Sequence, residues 1–174
     1  MATHGKDAMT ITDFCIVMVR ELRALQRELQ AYPDDETPWR LAPGITNSAG
    51  TLALHLTGNL RHFVGAVLGG SGYVRDRDAE FTRRGVPRAE LVAGIELAIA
   101  EVESAIRAHD DARLGAAYPV PVGGRQVTTS QFLVHLVAHL GYHLGQVDYH
   151  RRMTDPAAKP VGTLPLDALA EIVA

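Results

Sequence analysis

The sequence predicts an all-α fold, a four-helix bundle forming a single domain over residues 1–174. Three observations carry this. Four stretches place apolar residues at alternating intervals of four and three, the spacing that lines one face of a helix against a core. The stretches between them collect proline, glycine and charge, which stop helices. No stretch alternates apolar and polar residues with the two-residue period of a half-buried strand.

The first helix starts at Ile11 and runs its seam through Cys15, Met18, Leu22, Leu25 and Leu29. Tyr32-Pro33-Asp34-Asp35 ends it, because a proline drives its predecessor out of the helical region. A loop with Trp39, Pro43 and Gly44 leads to Asn47 or Ser48, either a good N-cap for the second helix. That helix has an apolar ridge of Leu52, Leu56, Leu60, Phe63 and Val67, and beside it a polar ridge of His55, Asn59 and His62. Gly69-Gly70-Ser71-Gly72 stops it. The densely charged Tyr73–Gly85 shows no clear period and reads as a long connecting loop, which must cross the bundle if helices two and three are not simple neighbours. A charged loop of this kind is more often solvated than functional.

Pro87 suits the first turn of the third helix, whose seam is Leu91, Ile95, Ala98, Val102 and Ile106. Asp110-Asp111 and the run 115–124, with Pro119 and Pro121, make the next connection. The fourth helix opens with Thr128 and Gln131, a capping box. Its inward seam is read as Phe132, Leu136, His139, His143 and Val147, or Gln146 in the last place. Residues 1–9 read as a flexible start and 155–174 as a loop-like tail, with a short helix around Leu166–Val173.

Composition sets limits on function. Apolar residues are 47% and charged residues 21%, ordinary for a soluble globular protein. A net charge of −3 leaves no electrostatic footprint for nucleic acid. Apolar runs are broken well before the roughly 20 residues a membrane span requires. The N-terminal MATHGKDAMT lacks the charged-then-apolar layout of a secretory signal, so a cytoplasmic location is expected. The lone Cys15 excludes an internal disulfide and a thiolate-rich zinc site, and on an apolar seam it reads as a buried, inert thiol.

The chemistry lies in Thr128–Arg152, which carries four of the eight histidines. His135, His139 and His143 are spaced four apart, so they stand above one another on one helical face. Neutral imidazole is the commonest metal ligand, and two from one face make half a site. Burying an unpartnered polar ring costs about 1–3 kcal/mol, and a shared cation would offset two such costs. The plain alternative is a pair of core histidines satisfied by hydrogen bonds. A third ligand must come from another helix, and His55 is the best placed. His135 is open to three roles: ligand, support for a ligand, or surface residue. His62 is expected on the rim, His150 too far along the axis, His109 at a helix C-terminus that favours its charge, and His4 incidental. Three imidazoles without a thiolate leave a coordination position open, as in catalytic sites. No glutamate follows His139, so the metalloprotease His-Glu-x-x-His arrangement is absent.

Several motifs resemble the DinB-like superfamily of four-helix bundles. Pro43-Gly44, Asn47-Ser48 and Leu54-His55-Leu56-Thr57-Gly58-Asn59-Leu60 resemble that superfamily's entry to the second helix and its first ligand motif. Arg75-Asp76-Arg77-Asp78-Ala79-Glu80-Phe81 is similar to an Arg-Asp-x-Glu-Phe stretch of one branch. Ala138–Gln146 matches a His-x-x-x-His-x-Gly-Gln signature of the last helix. The resemblance implies that His55, His139 and His143 are metal ligands and that the metal is zinc or nickel. It also implies a homodimer, and a thiol-dependent S-transferase or isomerase in which the metal activates bacillithiol, mycothiol or glutathione toward a small electrophile. Leu144 stands where many relatives have arginine, which removes that residue's role here. Asn59 and Gln146 would either orient the ligands or pair with backbone and water. Two other readings compete: a hydrolase using metal-bound hydroxide, with His135 as a spare base, and a non-enzymatic bundle that metal stabilises.

Overall fold

A computed structural model of the protein describes residues 9–161 and Leu169. His4, nearly all of the start expected to be flexible and the helix expected around Leu166–Val173 fall outside them, apart from Met9 and Leu169. The described residues contain helices α1 (Ile11–Gln30), α2 (Ala49–Leu60), α3 (Arg77–Thr82), α4 (Arg88–Arg107), α5 (Ala112–Gly115) and α6 (Thr129–Thr154), and no strand. The four long ones form the expected all-α bundle.

Their ends follow local chemistry. The Thr10 hydroxyl accepts from the Asp13 amide while the Asp13 carboxylate accepts from the Thr10 amide, a capping box at α1. Ser48 caps α2, and Thr128 with Gln131 builds the expected box at α6. Pro87 stands at the N-cap of α4, one place before the first turn expected for it. Beyond Leu60, α2 widens into a π-helical stretch, Arg61–Leu68, ended by Gly70 at φ +68°. His109, just past the α4 C-cap, reaches across to the Leu68 carbonyl at 3.0 Å rather than serving only the helix end.

Around the bundle the order is α1, α4, α2, α6. Both α4 and α6 pack on α1 and on α2. Side-chain contacts fix the directions. Gln26 meets Glu96 while Glu103 and Arg107 face Cys15, so α1 and α4 are antiparallel. Glu28 meets Arg151 and Tyr32 meets His150 at the ends of α1 and α6, whereas Phe14 and Gln131 share a groove near their starts, so these run parallel. Arg61 meets Glu101 and Thr57 packs at Gly94, so α2 and α4 are also parallel. Parallel neighbours cannot be joined by a tight turn. The chain between Leu68 and Arg88 therefore returns along α2, which explains the length of the charged connection. It does not cross the bundle, and it is not a plain loop: Asp76 caps the helix α3, which lies on α2.

The core contains the anticipated seams of α1 and α4 and the Leu52, Leu56 and Leu60 ridge. Cys15 is buried within it, and burial together with Glu103 pushes its thiol up to about 11 against the opposing pull of Arg107. The seam of α6 differs from expectation. Phe132, Leu133, Leu136, Leu140, Leu144 and Val147 face the core, so His139 and His143 stand on the ridge beside it, half-buried toward α2. The physical reason is packing volume. Leucines are available at positions 140 and 144, one place on from each histidine, and they fill the centre.

Candidate metal centre

α2 and α6 run antiparallel, with the Phe63 and Phe132 rings 4.9 Å apart at one rung and His55 facing His139 two turns away. Ligand-capable atoms of His55, His139 and His143 all lie within 4.8 Å of one another. His55 is buried, 8% exposed, and the two α6 imidazoles are half-buried. The His55 Nε2 and His139 Nε2 atoms are 3.1 Å apart. Ring centroids are 5.0 Å from His55 to His139, 5.5 Å from His55 to His143 and 4.6 Å from His139 to His143.

What binds the second nitrogen of each ring decides what the first can do. The His55 Nδ1 lies 3.0 Å from Glu80 Oε2. Burial pushes the Glu80 carboxyl up, but bonds from Arg75 and His55 outweigh it and hold it below the ordinary carboxylate range. An ionised carboxylate only accepts, so His55 Nδ1 carries the proton, the tautomer whose neutral ring presents a lone pair at Nε2. Arg75 grips Glu80 in bidentate fashion, Nε to Oε1 at 2.6 Å and Nη2 to Oε2 at 2.8 Å. The Arg75 Nη2 also lies 3.4 Å from His55 Nδ1, where both groups are donors and Glu80 satisfies them together. In the same way the His143 Nδ1 donates to the Gln146 amide oxygen at 2.7 Å, which frees His143 Nε2. His139 Nδ1 is buried with no partner among the described residues.

Burial disfavours charge on the two α6 rings. Burial, then the neighbouring imidazoles of His143, His55 and His135, and Arg75 lower His139 to about 4. Burial also lowers His143, against a raising hydrogen bond from Gln146. Neutral imidazoles with converging lone pairs are metal donors. Two N–metal bonds of about 2.0–2.1 Å at a tetrahedral angle place the nitrogens roughly 3.4 Å apart, close to the His55–His139 spacing. The nitrogens turned toward each other, at a spacing near that of two ligands on one ion, therefore fit a cation held by these three residues.

The other sequence candidates are elsewhere. His135 is exposed, its ring stacked 5.8 Å from Phe132 and 6.0 Å from His139. Half-buried His62 stands against Phe63, 4.7 Å between centroids, with burial foremost in lowering its pKa. His150 is buried away from the cluster: its Nε2–H donates to the Arg40 carbonyl and its Nδ1 accepts from the Tyr32 hydroxyl, both at 2.7 Å. Asn59 is buried with its Oδ1 unpartnered among the described residues and bonds none of the three histidines, whereas Gln146 does hold one. Sequence reasoning missed the part played by Glu80. The available signal was Asp76, a helix cap placed to start a turn that buries Glu80.

No helix among the described residues is long and apolar enough to cross a membrane. Comparison with curated proteins found no match. Among solved structures the chain is similar to a DinB-like protein from Bacillus cereus ATCC 10987. The two are 21% identical over 90% of this chain and 96% of that one, with a TM-score of 0.67, a likeness of fold. A family model described as the DinB superfamily matches residues 18–147, most of the chain. With that match, and with the bundle agreeing, this chain belongs to the DinB superfamily.

Proposed function

We propose that the protein holds a divalent metal, zinc or nickel, on His55, His139 and His143 and acts as a metal-dependent thiol S-transferase on small electrophiles. The observation that carries the metal reading is the convergence of three imidazoles, of which His55 and His143 have their Nδ1 engaged by Glu80 and Gln146 and turn Nε2 toward the shared centre. An ion held by these three residues would supply a position for an outside ligand and would acidify a thiol bound there.

The chain's own residues would hold and shield that place. Phe81 lies 4.9 Å from the His55 ring, and the Phe63–Phe132 pair walls the seam two turns away. Exposed Tyr142, 5.1 Å from the His143 ring, stands at the rim. In the reaction the thiol would give its proton to water, its sulfur would form a bond to an electrophilic carbon, and the bond from that carbon to the leaving group would break, the leaving group taking the electron pair. The transferase reading is what the sequence resemblance to DinB-like proteins implies, and the superfamily match over residues 18–147 is in keeping with that resemblance. The exposed position of His135, stacked rather than poised over the cluster, gives no support to a hydrolase with that residue as base.

Metal analysis of the purified protein, followed by thermal-shift titration of the zinc- or nickel-loaded form with bacillithiol, mycothiol and glutathione, tests the reading. One thiol should raise the melting temperature of the loaded protein and not of the His139→Ala variant. If none does, the transferase assignment fails; if no divalent ion binds, the metal assignment fails with it.

A further inference from the structure

We infer that Glu80 is a positioning residue for the metal centre, acting through His55, and that Gly58 and Arg75 exist in this arrangement to seat its carboxylate. The inference rests on the metal reading above and adds residues that supply no ligand atom.

Three observations converge. Glu80 is 5% exposed, and both of its oxygens are engaged, by Arg75 on one side and by His55 and Arg75 on the other. A buried carboxylate is costly unless it is paired, so its place here is set by its partners. Those partners lie on two segments, α2 and the returning chain, which brings Glu80 onto the protonated nitrogen of one ring of the cluster.

Gly58 supplies the second observation. It follows His55 by three residues on α2, on the same face. A Cβ at this position would lie 2.1 Å from Glu80 Oε1 and 2.8 Å from its Cδ. Any side chain there would push the carboxylate off its seat. The carboxylate is the flexible end of its side chain, so it would move before the α2 backbone did, and the His55 bond would be lost.

The third is a contrast among the three rings. Among the described residues the second nitrogen of His143 meets a neutral amide and that of His139 meets no partner, while His55 alone meets a charged acceptor. A carboxylate on the far nitrogen fixes the tautomer, fixes the ring's rotation and makes the near nitrogen a stronger donor. His55 is also the only member of the cluster on α2, so nothing else on its helix duplicates its role.

The test measures zinc and nickel affinity by competition with a chromophoric chelator, and the His55 tautomer by 15N NMR of the metal-free protein. Glu80→Ala and Gly58→Ala should each weaken binding about 10- to 100-fold. Glu80→Gln, which keeps an acceptor oxygen without the charge, should weaken it less than Glu80→Ala. In wild type His55 should be protonated at Nδ1, and in Glu80→Ala the Nε2–H form should gain population. A merely structural Glu80 would lower the melting temperature and leave both readouts unchanged. That result, or Glu80→Ala binding ion as tightly as wild type, would overturn the inference while the metal reading stands. Wild-type protein that binds no divalent ion would overturn both.

Discussion

Near its C-terminal end α6 buries His150 against Tyr32 and the Arg40 backbone; three turns earlier it turns His139 toward His55. Both rings lie on one helix, and burial is the main cause lowering the pKa of each. In the first place one nitrogen donates, the other accepts, and both partners belong to the chain. In the second, a nitrogen faces another imidazole nitrogen and the opposite one is buried with no partner among the described residues. The contrast teaches that a buried histidine is not by itself a metal ligand. The distinguishing mark is a hydrogen-bonding account that the protein leaves open.

The largest effect that could break this comparison is loss of the ion. His139→Ala or His143→Ala should abolish metal retention, and His150→Ala should leave it intact; equal metal content in all three would erase the distinction. Next comes the buried ion pair beside His150, in which Arg151 Nε meets Glu28 Oε2 at 2.7 Å. Arg151→Ala should cost about 3–5 kcal/mol in chemical denaturation, because Glu28 is left charged and buried, with metal stoichiometry unchanged. Smaller still, His150→Ala should cost about 1–3 kcal/mol by stranding the Tyr32 hydroxyl and the Arg40 carbonyl. A neutral result there would mean that water replaces the ring.

The mildest perturbation is acid. Burial first, then the neighbouring imidazoles, lowers His139 from the ordinary imidazole value of 6.5 to about 4, and burial shifts His143 and His150 the same way. The folded protein thus binds fewer protons than the unfolded chain. The stability from these neutral rings is complete above pH 6.5 and is lost as pH falls from there toward 4. Metal-free protein should show a falling melting temperature over that window, and ion-loaded protein a steeper fall as protons compete for the ligands. A flat profile would mean that the rings take up protons in the fold as readily as in the unfolded chain.

Much of this was legible in the sequence, for reasons that can be named. The α1 and α4 seams read correctly because each is a single unambiguous ridge, and Thr128 with Gln131 marked the start of α6 by side-chain chemistry alone. The α6 seam was ambiguous. Leucine at 140 and 144 and histidine at 139 and 143 share one period, so spacing could not say which ridge faces the centre. Volume decides for leucine. The pairing of His139 with His143 was nonetheless anticipated, because four-residue spacing survives a rotation of the helix by one place, and His55, expected from its place beside the α2 ridge, stands with them. The contribution of Glu80 was hidden, since its meaning depends on helix direction: nothing local in Tyr73–Gly85 says that α2 and α4 run parallel.

That parallel pairing has a wider consequence. An antiparallel hairpin between the same two helices would close with a few residues at the bundle's tip and would never pass the flank of α2. Here the backtracking strap is obligatory, so the topology itself delivers a carboxylate halfway down the helix. Shortening the strap, as loop-trimming redesigns commonly do, would leave a bundle whose core seams are intact and whose ring on α2 has lost its anchor.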